Sequence, residues 1–119
     1  MHGQIVHVAI NADDLDATRG FYEALFGWEF EEYMPGFIRA LDVGLDVAAI
    51  QQRRTLLPVP TNGPEMTVSV DDVDAAIEAA VAAGGSVVME KAAIPGVGDL
   101  VFFTDPSGNL VGAISAPRP

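Results

Sequence analysis

The chain has 119 residues, half of them apolar, and a formal net charge of −11. This length suits one domain with its own core, and the lack of cysteine excludes disulfide and thiolate chemistry. The negative charge repels phosphate backbones and anionic lipid, which excludes nucleic acid as a partner and favours a cationic ligand, although acidity also serves solubility alone.

The N-terminal residues do not resemble a targeting segment. No basic stretch is followed by an apolar one, and no apolar run approaches the roughly 20 residues that cross a bilayer. We therefore expect a cytoplasmic protein without membrane contact.

The first predicted strand, residues 5–10, is β-branched and apolar. A helix follows it, and an aspartate at its start accepts hydrogen bonds from the free amides of the first turn. Gly27 supplies the left-handed residue that ends the helix. The residues predicted to pack this helix against the sheet are Leu15, Phe21, Tyr22, Leu25 and Phe26.

Three short strands follow, near residues 28–33, 37–43 and 47–51, and the same order of elements then recurs. The motif Asp-Asp-Leu-Asp-Ala at 13–17 returns as Asp-Asp-Val-Asp-Ala at 71–75, which is 58 residues further on. The second copy is predicted to have a strand at 66–70, a helix that ends at Gly84-Gly85, and strands near 86–89, 100–104 and 110–115. Its helix is predicted to pack through Val73, Ala76, Ile77, Ala80 and Val81.

The repeat predicts an α+β fold made of two βαβββ modules. The modules span residues 4–52 and 64–116 of a single domain, 1–119. They are joined by a linker, 53–63, which contains two prolines and ends in glycine.

Alternation in the second module indicates which face of its sheet is polar. Glu65, Thr67 and Ser69 point away from the apolar residues that pack on the helix. A shift of 58 residues maps these three onto His7, Ala9 and Asn11 of the first module. We therefore predict that His7 and Glu65 are equivalent residues on one concave surface.

Five strings in order give the chain a resemblance to the vicinal oxygen chelate superfamily, which includes glyoxalase I, extradiol dioxygenases and bleomycin resistance proteins. The strings cover nearly the whole chain: Val6-His7-Val8 with Asp13-Asp14-Leu15, Phe21–Trp28, Val70–Ala76, Ile94–Gly98 and Asp105–Asn109. The resemblance implies modules related by a pseudo-twofold axis, mixed sheets curled into a cup, and helices outside the cup. It also implies a homodimer.

Metal-dependent members of this superfamily bind a divalent ion through the first and last strands of each module. His7 matches the first of these positions, and Glu65 stands where the second module usually has histidine. In the last strand of the first module Ala49 offers no ligand, so Gln51 is the candidate, and in that of the second module Gly112 replaces glutamate. The resemblance therefore implies at most His7, Gln51 and Glu65 as ligands of a divalent metal such as Mg²⁺ or Mn²⁺.

Two other features have simpler explanations. Gly96-Val97-Gly98 lacks the third glycine and the strand-to-helix context of a dinucleotide site, so a bend before the next strand is preferred. Aromatic residues on strands are mostly core, and only one of Phe102 and Phe103 can reach the concave face. The remaining candidates for stacking on a flat ligand are Trp28, Tyr33 and Phe37.

Three functions remain open from the sequence. The first is a metal-independent protein that binds a small, cationic molecule in the cup; its predicted contacts are His7, Asn11, Gln51, Glu65, Thr67 and Ser69. The second is a metal-dependent lyase or isomerase of the glyoxalase type, in which His7, Gln51 and Glu65 bind the metal. His7 and Glu65 are also the candidates for a general acid and base. The third is an interacting subunit whose cup is filled by its own side chains or by a partner. A hydrogen-bonded, purely structural His7–Glu65 pair is the alternative to a catalytic one.

Overall fold

The computed structural model describes residues 2–45, 47–53 and 63–116. The elements in these ranges follow the order βαβββ twice, which confirms the predicted α+β class and the two modules. The elements are β1 Gln4–Ala12, α1 Leu15–Phe26, β2 Glu29–Met34, β3 Phe37–Leu41, β4 Val47–Gln52, β5 Pro64–Ser69, α2 Val73–Ala82, β6 Ser86–Ile94, β7 Gly98–Thr104 and β8 Leu110–Ser115. Most of the predicted linker lies outside the described residues.

Each module has a mixed sheet of four strands. In the first module the strand order is β2-β3-β4-β1, with β1 parallel to β4 and the other pairs antiparallel. In the second it is β5-β8-β7-β6, with β5 parallel to β8. The chain divides into two compact units, residues 7–64 and the remainder, so the start of β1 belongs with the second module. There the Ser69 hydroxyl donates to the Gln4 carbonyl at 3.4 Å.

The predicted helix caps are present. The Asp14 carboxylate accepts from the Ala17 amide at 3.0 Å at the start of α1, and Gly27 ends this helix with φ +69°. The Asp72 carboxylate accepts from the Asp74 amide at 2.9 Å at the start of α2, and Gly84 follows that helix with φ +94°. These local contacts satisfy amides that a helix cannot pair internally.

The apolar cores lie between each helix and its sheet. Leu15 and Tyr22 join α1 to a first core of Ala12, Phe30, Ile38, Ala40 and Ile50. Ala76, Ile77 and Ala80 join α2 to a second core of Val73, Val101, Phe103 and Ala113.

Four residues predicted to pack inward are exposed instead. Phe21, Leu25 and Phe26 of α1 are 59%, 57% and 56% exposed, and Val81 of α2 is also more than half exposed. Phe21 and Leu25 lie about 60–100° around the helix from Tyr22, so they turn away when Tyr22 faces the sheet. The apolar stripe of α1 is therefore wider than the sheet can cover.

Strand β6 continues to Ile94, five residues beyond its predicted end. It pairs with β7 through two register shifts, and Gly96 and Gly98 take φ values of +74° and +135° at the hairpin between them. This Gly-x-Gly therefore joins antiparallel strands, as expected for a bend. Neither described helix is long and apolar enough to span a bilayer.

Candidate functional site

The face of the first sheet that turns away from α1 is called here the polar face. Residues directly opposite one another on neighbouring strands share a face. Ala9 lies opposite Ala49, and Arg39 lies opposite Ala49 on its other side. By alternation His7 and Asn11 of β1, Gln51 of β4 and Phe37 of β3 belong to the same face. The opposite face carries Ile10, Ile38 and Ile50, which pack in the core.

Asn11 and Gln51 form a buried amide pair on the polar face. The Gln51 Nε2 donates to the Asn11 Oδ1 at 2.9 Å, and the Asn11 Nδ2 donates to the Gly63 carbonyl at 3.2 Å. Both side chains are buried. These hydrogen bonds join the end of β1 to the end of β4 and to Gly63, the residue that directly precedes β5. Gln51, a predicted metal ligand, is engaged in this structural contact.

The rings of His7, Phe37 and Tyr33 follow one another along the polar face and are called here the aromatic strip. The His7 and Phe37 centroids are 6.1 Å apart, and those of Phe37 and Tyr33 are 5.8 Å apart. Beneath them Ala9 and Ala49 have exposed fractions of 0% and 3%. Small residues therefore lie on the same face as the large rings, in the strands between His7 and Phe37.

Arg39 is a charged residue of the polar face that the sequence reasoning missed. Its Nε is buried, whereas its side chain as a whole is 41% exposed, so the stem packs on the face and the tip reaches solvent. Its Nη1 lies 4.0 Å from the Glu31 Oε1 across the β2–β3 pair. The alternation of residues 37–41 was the available signal, because it places Arg39 beside Phe37.

In the second module Glu65 and Thr67 are buried, and Thr67 lies opposite Gly112. A Cβ on Gly112 would lie 2.8 Å from the Phe102 Cε1 and 3.0 Å from the Thr67 Oγ1. The Phe102 ring therefore occupies the space that a side chain at residue 112 would need. Phe103 packs in the second core instead, so only one of the two neighbouring rings reaches this face, as predicted.

No group of three or more histidine, aspartate or glutamate side chains within the described ranges could hold a metal. Gln51 is bound to Asn11, and the space at Gly112 is filled by Phe102. The pairing of His7 with Glu65 stays a prediction, because these residues belong to different units.

Two carboxylates outside these faces have altered pKa values. Hydrogen bonding to Arg53 lowers the pKa of Asp13 below its usual value. Hydrogen bonds from Asn109 lower the pKa of Asp105, which closes the turn between β7 and β8. Both carboxylates are accessible to solvent, and each belongs to the residue that directly follows a strand, β1 for Asp13 and β7 for Asp105.

Known proteins resemble this chain over most of its length. The mycobacterial protein CFP32, provisionally described as a glyoxylase in Mycobacterium tuberculosis and Mycobacterium bovis, is 35% identical over 93% of the chain; the chain spans only 45% of CFP32. A glyoxylase-like domain-containing protein of Didymella fabae is 29% identical over 98% of this chain and 97% of its own.

Solved structures resemble the chain as well. The Mn(II)-bound glyoxalase from Novosphingobium aromaticivorans is 25% identical, with a TM-score of 0.63 over 98% of this chain and 41% of that chain. A superfamily member from Vibrio splendidus shares the fold with a TM-score of 0.66 at 15% identity, over 96% of this chain and 99% of its own. The family model of the glyoxalase/bleomycin resistance protein/dioxygenase superfamily matches residues 4–112, and the chain belongs to this superfamily.

Proposed function

We propose that this domain binds a small, flat, positively charged molecule on the polar face and does so without a complete resident metal site. The observation that carries the proposal is the aromatic strip of His7, Phe37 and Tyr33, whose rings lie 6.1 and 5.8 Å apart. Aromatic faces attract flat ligands and cations. Tyr33 is largely exposed, and His7 and Phe37 are partly exposed, so all three can meet a ligand.

The charge of the chain supports a cationic ligand. The formal net charge is −11, and Glu31 lies 4.0 Å from the Arg39 guanidinium and offsets its positive charge on the polar face. An acidic surface raises the local concentration of cations. The buried amides of Asn11 and Gln51 hold β1 and β4 together and are neutral, so they add no charge to the polar face.

The residues available to bind a metal also favour a function that needs no resident metal. A metal-dependent lyase or isomerase is the second candidate, favoured by the likeness to the Mn(II)-bound glyoxalase, which is 25% identical to this chain over the aligned residues. That reaction type needs more ligands than His7 and Glu65, and the place of a further ligand at Gly112 is taken by Phe102. The polar face can bind through its rings alone.

The first prediction is that flat cationic probes, such as bithiazole glycopeptides of the bleomycin class, stabilise the protein. Thermal unfolding with and without the probe measures this. A probe at about 100 times its dissociation constant should stabilise the fold by about 2.7 kcal/mol. Phe37→Ala should weaken binding by about tenfold or more, since a stacked ring is lost. Phe21→Ala, the same change on the exposed side of α1, should leave binding unchanged.

Metal content separates the two candidates. Protein purified without chelator should contain far less than one divalent ion per chain by elemental analysis. A stoichiometric ion, lost together with activity on chelation, would favour the lyase or isomerase. Flat cations that fail to stabilise the wild-type protein, or that bind the Phe37 and Phe21 variants equally, would contradict the aromatic strip.

We also propose that the chain forms a homodimer through the exposed apolar side of α1. Phe21 and Leu25 lie one turn apart on α1 and are each more than half exposed, and neighbouring apolar residues of this kind mark interaction sites. A second copy of the chain is the proposed partner, because the longer mycobacterial relatives have room for another such domain in the same polypeptide.

The second prediction concerns this contact. Phe21→Ser with Leu25→Ser should raise the dimer dissociation constant by about 100-fold, as two buried apolar anchors are removed. Sedimentation velocity over a range of concentrations measures the change. Val97→Ser, at another exposed apolar residue, is the matched control. A wild-type protein that stays monomeric at every concentration would rule the dimer out.

A further inference from the structure

An apolar hollow lies in the first module on the side opposite the polar face. It has a volume of about 110 Å³. Its wall includes Val8, Ile10, Trp28, Val43, Leu45 and Ala48. These side chains carry no charge, and the indole N–H of Trp28 is the one hydrogen-bonding group among the six side chains named.

The hollow follows from the lengths of the elements around it. A helix of 12 residues, such as α1, is about 18 Å long. A strand of nine residues, such as β1, is about 30 Å long. The helix therefore cannot cover the whole strand, and Trp28 and the bend at residues 42–45 complete the wall.

The wall is held open by the packing of Trp28. Its ring stacks on Tyr22 at 5.5 Å with an interplanar angle of 10°, and it also contacts Phe26 at 5.2 Å and Phe30 at 6.4 Å. A ring fixed by three others cannot turn into the hollow without breaking these contacts. The bend opposite has left-handed residues at Asp42 and Gly44, which set the course of the chain at Val43 and Leu45.

We propose that this hollow is a second binding site, for a small uncharged apolar molecule of about benzene size. Apolar cavities of about 150 Å³ remain free of water and take up benzene or xenon. The hollow of this protein is somewhat smaller and has the same kind of wall, so it takes the same class of ligand. A charged analogue is excluded, because its charge would lose water without gaining a partner.

The third prediction uses the only tryptophan of the chain as a reporter. Benzene and xenon should change Trp28 fluorescence and the methyl NMR signals of Val8, Val43 and Leu45 saturably. Benzoate and benzylammonium should leave these signals unchanged. No saturable change with benzene and xenon, or equal binding of benzoate, would overturn the proposal.

Filling the hollow provides the matched variants. Ala48→Leu should weaken benzene binding by about tenfold or more, whereas Ala80→Leu, which lines a separate hollow of the second module, should leave it unchanged. If Ala48→Leu fails to fold, Ala48→Val serves in its place, and the xenon titration of the wild-type protein needs no variant. Benzene binding that survives filling at residue 48 would place the ligand elsewhere. Phe37→Ala should leave benzene binding intact, which separates this site from the aromatic strip.

Discussion

Gly112→Ala is expected to lower the free energy of unfolding by about 1–3 kcal/mol, because overpacking forces buried side chains to shift. The new Cβ would lie 2.8 Å from the Phe102 ring and 3.0 Å from the Thr67 hydroxyl oxygen, and both residues are buried. In an open part of a strand the same change would be stabilising by about 0.5–1 kcal/mol. The sign of the effect therefore reports whether the Phe102 ring fills this space.

Two further variants make the test specific. Gly20→Ala makes the same chemical change in α1, where nothing lies within 4 Å of the new Cβ, and should stabilise the protein. Phe102→Leu removes the ring atoms that meet residue 112, so Gly112→Ala should cost clearly less in that background. Chemical denaturation measures the stability of the wild-type protein, the three single variants and the Phe102→Leu/Gly112→Ala double variant. A neutral or stabilising Gly112→Ala would show that space at residue 112 is not limiting.

Asn11→Ala or Gln51→Ala is expected to lower the free energy of unfolding by about 1–3 kcal/mol each, since either change removes the buried hydrogen bond that joins the two amides. The bond between them is 2.9 Å long and buried. Gln52 is an exposed neighbour whose side-chain amide donates a hydrogen bond to the Asp13 carbonyl at 3.4 Å. Gln52→Met should change the free energy of unfolding by less than about 0.5 kcal/mol.

The double variant distinguishes pairing from burial. Asn11→Leu with Gln51→Met replaces both amides by apolar groups of similar size, so it should cost less than the sum of Asn11→Leu and Gln51→Met made singly. Urea unfolding gives the coupling energy. Additive single and double effects would mean that the two amides act independently and that the pair does not fix the end of β1.

Local chemistry explains why much of the fold could be predicted. Asp14 and Gly27 mark the ends of α1 by side-chain hydrogen bonding and left-handed backbone, which need no knowledge of the rest of the chain. The end of β6 was harder to predict. Glu90 and Lys91 interrupt its apolar pattern, yet an outer strand accepts charges that a central strand would not.

The candidate site was predicted less completely, because it depends on how strands pair. The alternation of β5 placed Thr67 and, by the repeat, Ala9 on polar faces, and the register agrees. The approach of His7 to Phe37 depends on two strand registers and on small residues between them, which no local pattern shows. The prediction of which α1 residues pack inward was wrong at Phe21 for the same reason. Phe21 is as apolar as Tyr22, and only the position of the helix on the sheet decides which of the two is covered.

The outer strands limit how this protein can assemble. Strand β2 carries Glu29, Glu31 and Glu32 and a register shift, while β6 carries two shifts and a Glu-Lys pair. Charges and bulges at the margins of a sheet obstruct continuous strand addition from another molecule. Fibril-like stacking through these two strands is thereby discouraged, even though the chain is half apolar.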